Sequence, residues 1–318
     1  MTSNISDYYK PLTVQVAQED DGKQVRTVLE RRLGVSRTLQ SRLKLTELGI
    51  TLNGQRAYTS ALVRAGDELT IRMEKESSDD ILPEPIPLDI VFEDDDLLIV
   101  NKPAGIVVHP THGHYTGTLA NGVVHHWKEQ GWRVRFRPIH RLDEDTSGLV
   151  AIAKTPYVHQ QLSEQLQAGT VKKLYRAYTY GWPLLDKGTV DEPIDRDPDA
   201  PHIRIVTAEG YPSVTHYEVG ARYASAAGGA SMVKLKLETG RTHQIRVHMR
   251  HIGCPLIGDG MYGPTDGGVA EWEEASGRQA LHAETLGFVH PITKQWMEWN
   301  ASLPPELVRL EDVLNRLN

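Results

Sequence analysis

The stretch HRLDEDTSGLV, residues 140–150, sets three carboxylates, Asp143, Glu144 and Asp145, beside an arginine and a histidine. The chain then turns at Thr146, Ser147 and Gly148 and enters LVAIA, a run that reads as a buried strand. Ionisable groups are seldom placed against a buried strand for packing alone. If Leu142 points into the core, Arg141 and Asp143 share the opposite face, because extended chain alternates. An Arg141–Asp143 pair at the strand mouth would hold the carboxylate ionised. Asp145 or Thr146 would cap the turn through a side-chain oxygen.

A second cluster lies in RTHQIRVHMRHIG, where the spacing predicts a helix over 241–252. Ile245, Met249 and Ile252 recur at i, i+4 and i+7 and mark its buried face. Arg246 sits one step round, at the edge of the core. Arg241, Arg250, His243, His248 and His251 cover the rest, which reads as a basic solvated face. The histidine spacing does not match the i, i+4 zinc helix, and Cys254 is the only cysteine. No metal is expected. KKLYRAY, residues 172–178, reads as a strand with Tyr175 and Tyr178 among cations. In NKPAGIVVHP, Pro103 and Gly105 fix a turn, and Lys102 and His109 are candidates to reach an anion.

These groups need elements to hold them. VRTVLERRLG predicts a helix that Gly34 ends, and Ser36 caps a second helix in SRTLQSRLKL. Asn53-Gly54 marks a hairpin, and ELTIRM is a closing strand. Together they form a small unit behind a loose arm. ESSDDILPEPIPLD, acidic with proline at every second position, reads as an extended linker. Beyond it, strands and helices mix without a βαβ beat: IVFEDDD, LLIVNKP, LVAIAK, KKLYRAYTYG, VTHYEVGARY, SMVKLKLE, ALHAETLGFVHP and WMEWNASLP as strands, TLANGVVHHW and TPYVHQQLSEQLQAG as helices. That order predicts an α+β fold with a large, mostly antiparallel sheet.

Net charge is −7, which argues against a polyanionic partner until its distribution is considered. Residues 23–73 carry ten Lys/Arg and four Asp/Glu, a local +6, whereas residues 74–96 carry ten acids and only Lys75. Binding to a polyanion follows the local field. The opening MTSNISDYYKPLTV has no charged start followed by an apolar stretch, so no secretory signal is expected, and no apolar run approaches the ~18 residues that a membrane span needs. With one cysteine, the expected compartment is the cytoplasm.

HRLDEDTSGLV resembles the signature of the RluA-type RNA pseudouridine synthases. NKPAGIVVHP, KKLYRAYTYG, LETGRTHQIRVHM, GDGMYG and LHAETLGFVHP match that family's pattern in the same order across residues 89–303. SRTLQSRLKLTELGITLNG with GDELTI is similar to an S4-like RNA-binding module. The resemblance implies a pseudouridine synthase fold around a long, mixed, mainly antiparallel sheet. It also implies isomerisation of uridine in ribosomal or transfer RNA, without cofactor or metal. Asp143 would be the essential aspartate, Tyr175 the active-site tyrosine, and Arg246 the aspartate's partner. Arg141 would hold the place of the displaced base, and His140, Lys102, His109, Arg241 and His243 would bind substrate. Arg37, Arg42 and Lys44 would carry the module's RNA contacts. The implied division is 1–75 for the module, with its arm to about residue 12, 76–88 for the linker and 89–318 for the synthase domain, acting as a monomer. Two departures stand out: DGKQVRTVL replaces the module's usual Arg-Leu-Asp run, and DAPHIRIVTAEGYPSVTHYEV lacks a lysine common before its final strand. A non-catalytic RNA-binding protein and a nucleoside or glycoside hydrolase remain as alternatives. The hydrolase would need a second acid, and only Glu144 and Asp145 are close in sequence.

Overall fold

A computed structural model of the chain describes residues 5–111, 113–225 and 228–317. Strand β1 (Leu12–Gln15) precedes helix α1 (Val25–Leu33), whose Val25, Val28 and Leu29 are fully buried. Gly34 closes α1 at φ 63°, a left-handed position that glycine takes without steric cost. Ser36 caps α2 (Arg37–Leu43) by accepting a hydrogen bond from the Leu39 amide. Strands β2 (Ile50–Leu52) and β3 (Gln55–Arg56) meet at Asn53-Gly54, with φ 48° and 78°. With β4 (Glu68–Ile71) they form a four-stranded antiparallel sheet in the order β1-β4-β2-β3.

The second sheet has nine strands. Strands β5 (Asp89–Glu93) and β6 (Leu97–Lys102) precede helix α3 (Leu119–Glu129). Strand β7 (Ser147–Ala153), helix α4 (Pro156–Gln167) and strand β8 (Lys172–Tyr180) follow. Then come β9 (Lys187–Asp191), a two-stranded sheet of β10 (Ile194–Arg196) and β11 (Arg204–Val206), β12 (Val214–Ser225) and β13 (Gly228–Leu237). Helices α5 (Gln244–His251) and α6 (Ala270–Ser276), strands β14 (Leu281–Val289) and β15 (Trp296–Asn300) and helix α7 (Pro305–Asn315) complete the chain. The strand order is β5-β6-β7-β14-β8-β13-β12-β9, with β15 also on β14. Every pairing is antiparallel except β7 with β14. The fold is therefore α+β around a mixed, mainly antiparallel sheet.

That one parallel contact positions the charged stretch. Ser147 and Gly148 lie opposite His282 and Ala283. Gly148 has φ 121°, and a Cβ there would stand 2.3 Å from the Ala283 carbonyl oxygen. Only glycine lets the strands approach this closely. Leu149 through Ala153 are then wholly buried, so residues 140–146 emerge at the edge of a rigid layer.

The acidic linker is extended and tethered at several points. Ile81 is buried, and Glu76 takes Arg42 from one side and Arg137 and Arg135 from the other. Nearby Glu93 holds Lys154 and His126. Glu76 and Glu93 of the acidic run thus engage side chains from segments on either side of it. The helix predicted from 241 begins at Gln244, because His243 takes φ 57°. Nor is α5 a solvated basic helix. Gln244 through Met249 are all buried, between the large sheet and the β10–β11 pair.

The N-terminal sheet and helices meet α4 through polar contacts at the C-terminal end of α1. Tyr157 donates to the Leu33 carbonyl at 2.8 Å, and Gln160 and Gln161 donate to that of Gly34 at 2.6 and 2.9 Å. Gln160 Oε1 accepts the Ser36 amide at 3.0 Å. These bonds satisfy groups left open where α1 ends.

Candidate active site

Residues 140–146 form one wall of a cleft of about 640 Å³, within the range of small-ligand sites. Of the three acids in the turn, only Asp143 lines it. Leu142 is buried, Arg141 exposed and Asp143 half-buried, so the alternation expected for this stretch holds. The Arg141–Asp143 pair does not form. Arg246 stands there instead, with Nη1 3.6 Å from an Asp143 oxygen.

Arg246 is held from behind. Its Nε and Nη2 donate to the two oxygens of Asp259 at 2.7 and 2.8 Å, a bidentate pair in the protein interior. Asp259 also accepts the Met261 and Tyr262 amides, both at 3.0 Å, and the guanidinium lies 4.9 Å from the centre of the Tyr262 ring. Asp259 thus spends its oxygens on orienting Arg246, leaving Nη1 toward Asp143. Neither Asp259 nor Tyr262 follows from the periodicity of GDGMYG. A buried carboxylate 13 residues from a buried arginine is visible only once both are placed.

The turn itself is held through backbone carbonyls, not by the side-chain cap expected of Asp145 or Thr146. Lys102 Nζ donates to the carbonyls of Glu144, Pro103 and Ile106 at 2.7–2.8 Å. Arg278 donates to the Asp145 carbonyl at 2.8 Å and to Ser147 Oγ at 2.7 Å. Thr146 Oγ accepts from Gln279. Lys102 is fully buried. Burial and the nearby Arg278 push its ammonium down to about 7, yet three carbonyls take all three of its protons. Its expected role as a substrate contact is therefore corrected: it lies outside the cleft and locks the loop that carries Asp143. His109 is corrected likewise. It packs on Phe136 and contacts the Pro110 carbonyl, away from the cleft.

Tyr175, from β8, lies across the cleft and is buried, with no protein partner for its hydroxyl among the described residues. Burial, then the charge of Asp143, push that hydroxyl up and beyond the usual tyrosine range. It stays protonated, so Tyr175 offers a ring face and a donor, not a base. Two residues earlier on the same face is Lys173, whose amine burial pushes down. No carboxylate pairs with Lys173 among the described residues. It is a cleft cation that the sequence reading passed over, although KKLYRAY held the signal.

His140, Arg241 and His243 also line the cleft. His243 Nδ1 lies 2.8 Å from the Tyr262 hydroxyl, which itself accepts the Arg204 amide at 2.8 Å. The hydroxyl proton is then best donated to Nδ1, which leaves the imidazole proton on Nε2. Burial pushes His243 down, so the neutral ring is the resting form. Leu142, Ile245, Leu237 and Leu281 supply apolar walls. Four cations, Arg141, Lys173, Arg241 and Arg246, face two acids, Asp143 and Glu238, and Glu238 is engaged by His216 at 2.6 Å. A cleft of that sign suits a phosphate-bearing ligand. His248 is engaged by Thr215 and the Glu192 carbonyl, at 2.8 and 2.9 Å.

On the N-terminal unit, Arg37, Arg42 and Lys44 are exposed along and just beyond α2, outside the cleft. Arg42 is already paired with Glu76, which leaves Arg37 and Lys44 as the freer charges of the three.

His140 sets an acid limit on stability. Burial, then Lys173, push its imidazole down to about 3, and its Nδ1 has no partner. The unfolded chain therefore binds a proton that the folded chain refuses between pH 6.5 and about 3. Stability falls as pH drops through that window, by at most about 1.4 kcal/mol per pH unit for one such group. Urea midpoints measured from pH 7 to 4 should decline, and less steeply in His140→Gln. An identical slope in that variant would remove His140 as the cause.

A profile of the RNA pseudouridylate synthase family matches residues 96–251. An uncharacterized RNA pseudouridine synthase of Bacillus subtilis strain 168, YlyB, is 42% identical over 270 residues, which is 84% of this chain and 86% of the relative. The ribosomal large subunit pseudouridine synthase D of Escherichia coli K12 is 40% identical over 259 residues, 79% of this chain and 78% of that protein. Among solved structures, human RNA pseudouridylate synthase domain containing 1 superposes with a TM-score of 0.57 at 26% identity, covering 74% of this chain and 96% of its own. With the order of strands, the cleft and relatives of this length and identity in agreement, the chain belongs to the RNA pseudouridine synthases.

Proposed function

We propose that this enzyme isomerises uridines in large-subunit ribosomal RNA, with Asp143 as its catalytic carboxylate. The observation that carries the assignment is that Asp143, alone of the three adjacent acids, enters the cleft, facing Tyr175 and 3.6 Å from Arg246. A base inside folded RNA must leave its stack to reach such a site. Arg141, exposed at the rim, takes the vacated place. Breaking the bond between C1′ and the base nitrogen builds positive charge on the sugar, and Asp143 meets that charge. The freed uracil turns between the Tyr175 ring and the apolar walls and rejoins C1′ through its carbon 5. A proton leaves that carbon and one is gained at nitrogen, so no oxidant or reductant is consumed. Lys173, Arg241 and the Nε2 proton of His243 hold the flanking phosphate and the base. A hydrolase would need a second free acid in the cleft, and Glu238 is occupied by His216.

In this reading residues 1–75 are an S4-like RNA-binding module using Arg37, Lys44 and, when released from Glu76, Arg42. Residues 76–88 connect it to the synthase domain at 89–318. The protein acts as a monomer in the cytoplasm, where the large-subunit RNA of its bacterial relatives is found. The support is twofold: curated relatives named for the large ribosomal subunit, and the basic balance of residues 23–73. The test is to incubate unmodified large-subunit ribosomal RNA and, separately, unmodified transfer RNA with the purified protein and to map pseudouridine. New pseudouridine in the ribosomal RNA is expected. Conversion confined to transfer RNA would overturn the substrate, and release of free uracil would overturn the reaction.

A further inference from the structure

The segment between β9 and β12 carries the β10–β11 pair, which packs on α5 through Ile194, Val247 and Tyr262, with Ile203 and Val206 against them. Just before β12 it presents Tyr211, 60% exposed, beside the cleft. The backbone under this ring is pinned. Tyr211 and Ile194 exchange both amide–carbonyl bonds, at 2.9 and 3.0 Å, and Ser213 donates to the Tyr211 carbonyl at 2.8 Å. At Gly210 a Cβ would stand 2.7 Å from the Ile194 carbonyl carbon, so the crossing is closer than any larger residue permits.

Arg241 connects this ring to the cleft. Its guanidinium lies 5.3 Å from the centre of the Tyr211 ring, Nε donates to the Pro212 carbonyl at 3.4 Å, and its amide donates to Gln244 Oε1 at 3.0 Å. Arg241 itself lines the cleft. A single exposed aromatic needs no explanation. A ring with a fixed backbone, a stacked guanidinium and a position next to a nucleotide-sized cleft has the makings of a base-stacking surface. Charge narrows the partner further. Residues 191–213 hold six acids, Asp191, Glu192, Asp195, Asp197, Asp199 and Glu209, against Arg196 and Arg204. Such a segment repels phosphate, so what it accepts is the neutral face of a base.

We propose that Tyr211, braced by Arg241, is a stacking platform for a nucleobase adjacent to the isomerised uridine. This rests on the assignment of the cleft made above. The geometry makes Tyr211 a binding residue that orders the strand leading to the cleft and leaves the chemical step to others.

The test is a cycle between protein and RNA, using a stem-loop cut from large-subunit ribosomal RNA around a uridine that the unaltered enzyme converts. Tyr211→Ala should raise KM about tenfold, with kcat nearly unchanged. Tyr211→Leu, which keeps bulk but has no π face, should behave like Tyr211→Ala. Tyr211→Phe and Tyr211→Trp should restore KM. Removing the base of one neighbouring nucleotide, as an abasic site, should raise KM for the unaltered enzyme by a similar factor and add nothing in Tyr211→Ala. A wild-type KM in Tyr211→Ala and Tyr211→Leu, or factors that multiply at every neighbouring position, would overturn the platform while pseudouridine formation stands. If the unaltered enzyme converts no uridine in any RNA, the functional reading falls and the platform with it.

Discussion

Asp143→Asn should form no measurable pseudouridine, with a rate at least about a thousandfold below the unaltered enzyme, while binding RNA almost as well. The asparagine keeps the size of the side chain and an oxygen that can still accept from Arg246 Nη1, 3.6 Å away in the present structure. The turn should survive, because Lys102 and Arg278 grip its backbone carbonyls and not the Asp143 side chain. What is lost is the one negative charge of the turn that faces the cleft. Four cations in the cleft remain to hold the RNA. Quantifying pseudouridine and filter binding on the same preparation separates the two effects. A variant working at full rate would remove Asp143 from the chemistry, and equal loss of binding and turnover would reduce it to a binding group.

Asp259→Ala should give the largest loss of stability of any single change near the site. The Asp259 carboxylate has no exposed surface and accepts four hydrogen bonds, two of them from Arg246. Its removal strands a buried guanidinium, at a cost of about 3–5 kcal/mol. The melting midpoint should fall by on the order of 10 °C. Activity should fall as well, since Arg246 is free to swing toward Asp143 or away from it. A double variant, Arg246→Met with Asp259→Leu, distinguishes support from chemistry. Well-packed apolar residues commonly recover the stability of a buried ion pair. The double variant should therefore melt near the unaltered protein yet remain inactive. Recovered activity would mean that the pair serves folding alone, and an unchanged midpoint in Asp259→Ala would mean that the pair contributes little to either.

Much of this protein is legible in its sequence where the information is local. The caps and turns at Gly34, Ser36 and Asn53-Gly54 stand as expected, because each depends on the backbone preferences of one or two residues. The long strands β6, β7 and β14 read correctly as strands. The segment from 182 to 213 had no predicted element, and its strands β9, β10 and β11 have three to five residues each, too short for periodicity to register. Helix α5 was predicted to begin three residues too early, since nothing local tells that His243 will take a left-handed backbone to reach Tyr262.

The same division runs through the site. Local order alone singles out HRLDEDTSGLV as the stretch to watch, and its resemblance to a family names Asp143, Tyr175 and Arg246. Their relation is a matter of tertiary structure. Arg141 lies two residues from Asp143 and lines the same cleft but does not pair with it, while Arg246, more than a hundred residues on, supplies the guanidinium. Lys102 reads as an anion contact by charge, but burial turns it inward to three carbonyls. The physical reason is that periodicity reports which face of an element is buried, not which partner it is buried against. Charge, caps and apolar rhythm determined the elements and marked the reactive stretch. Close packing of β7 on β14 at Gly148, and the pairing of Asp259 with Arg246, decided which acid faces the cleft and what stands beside it.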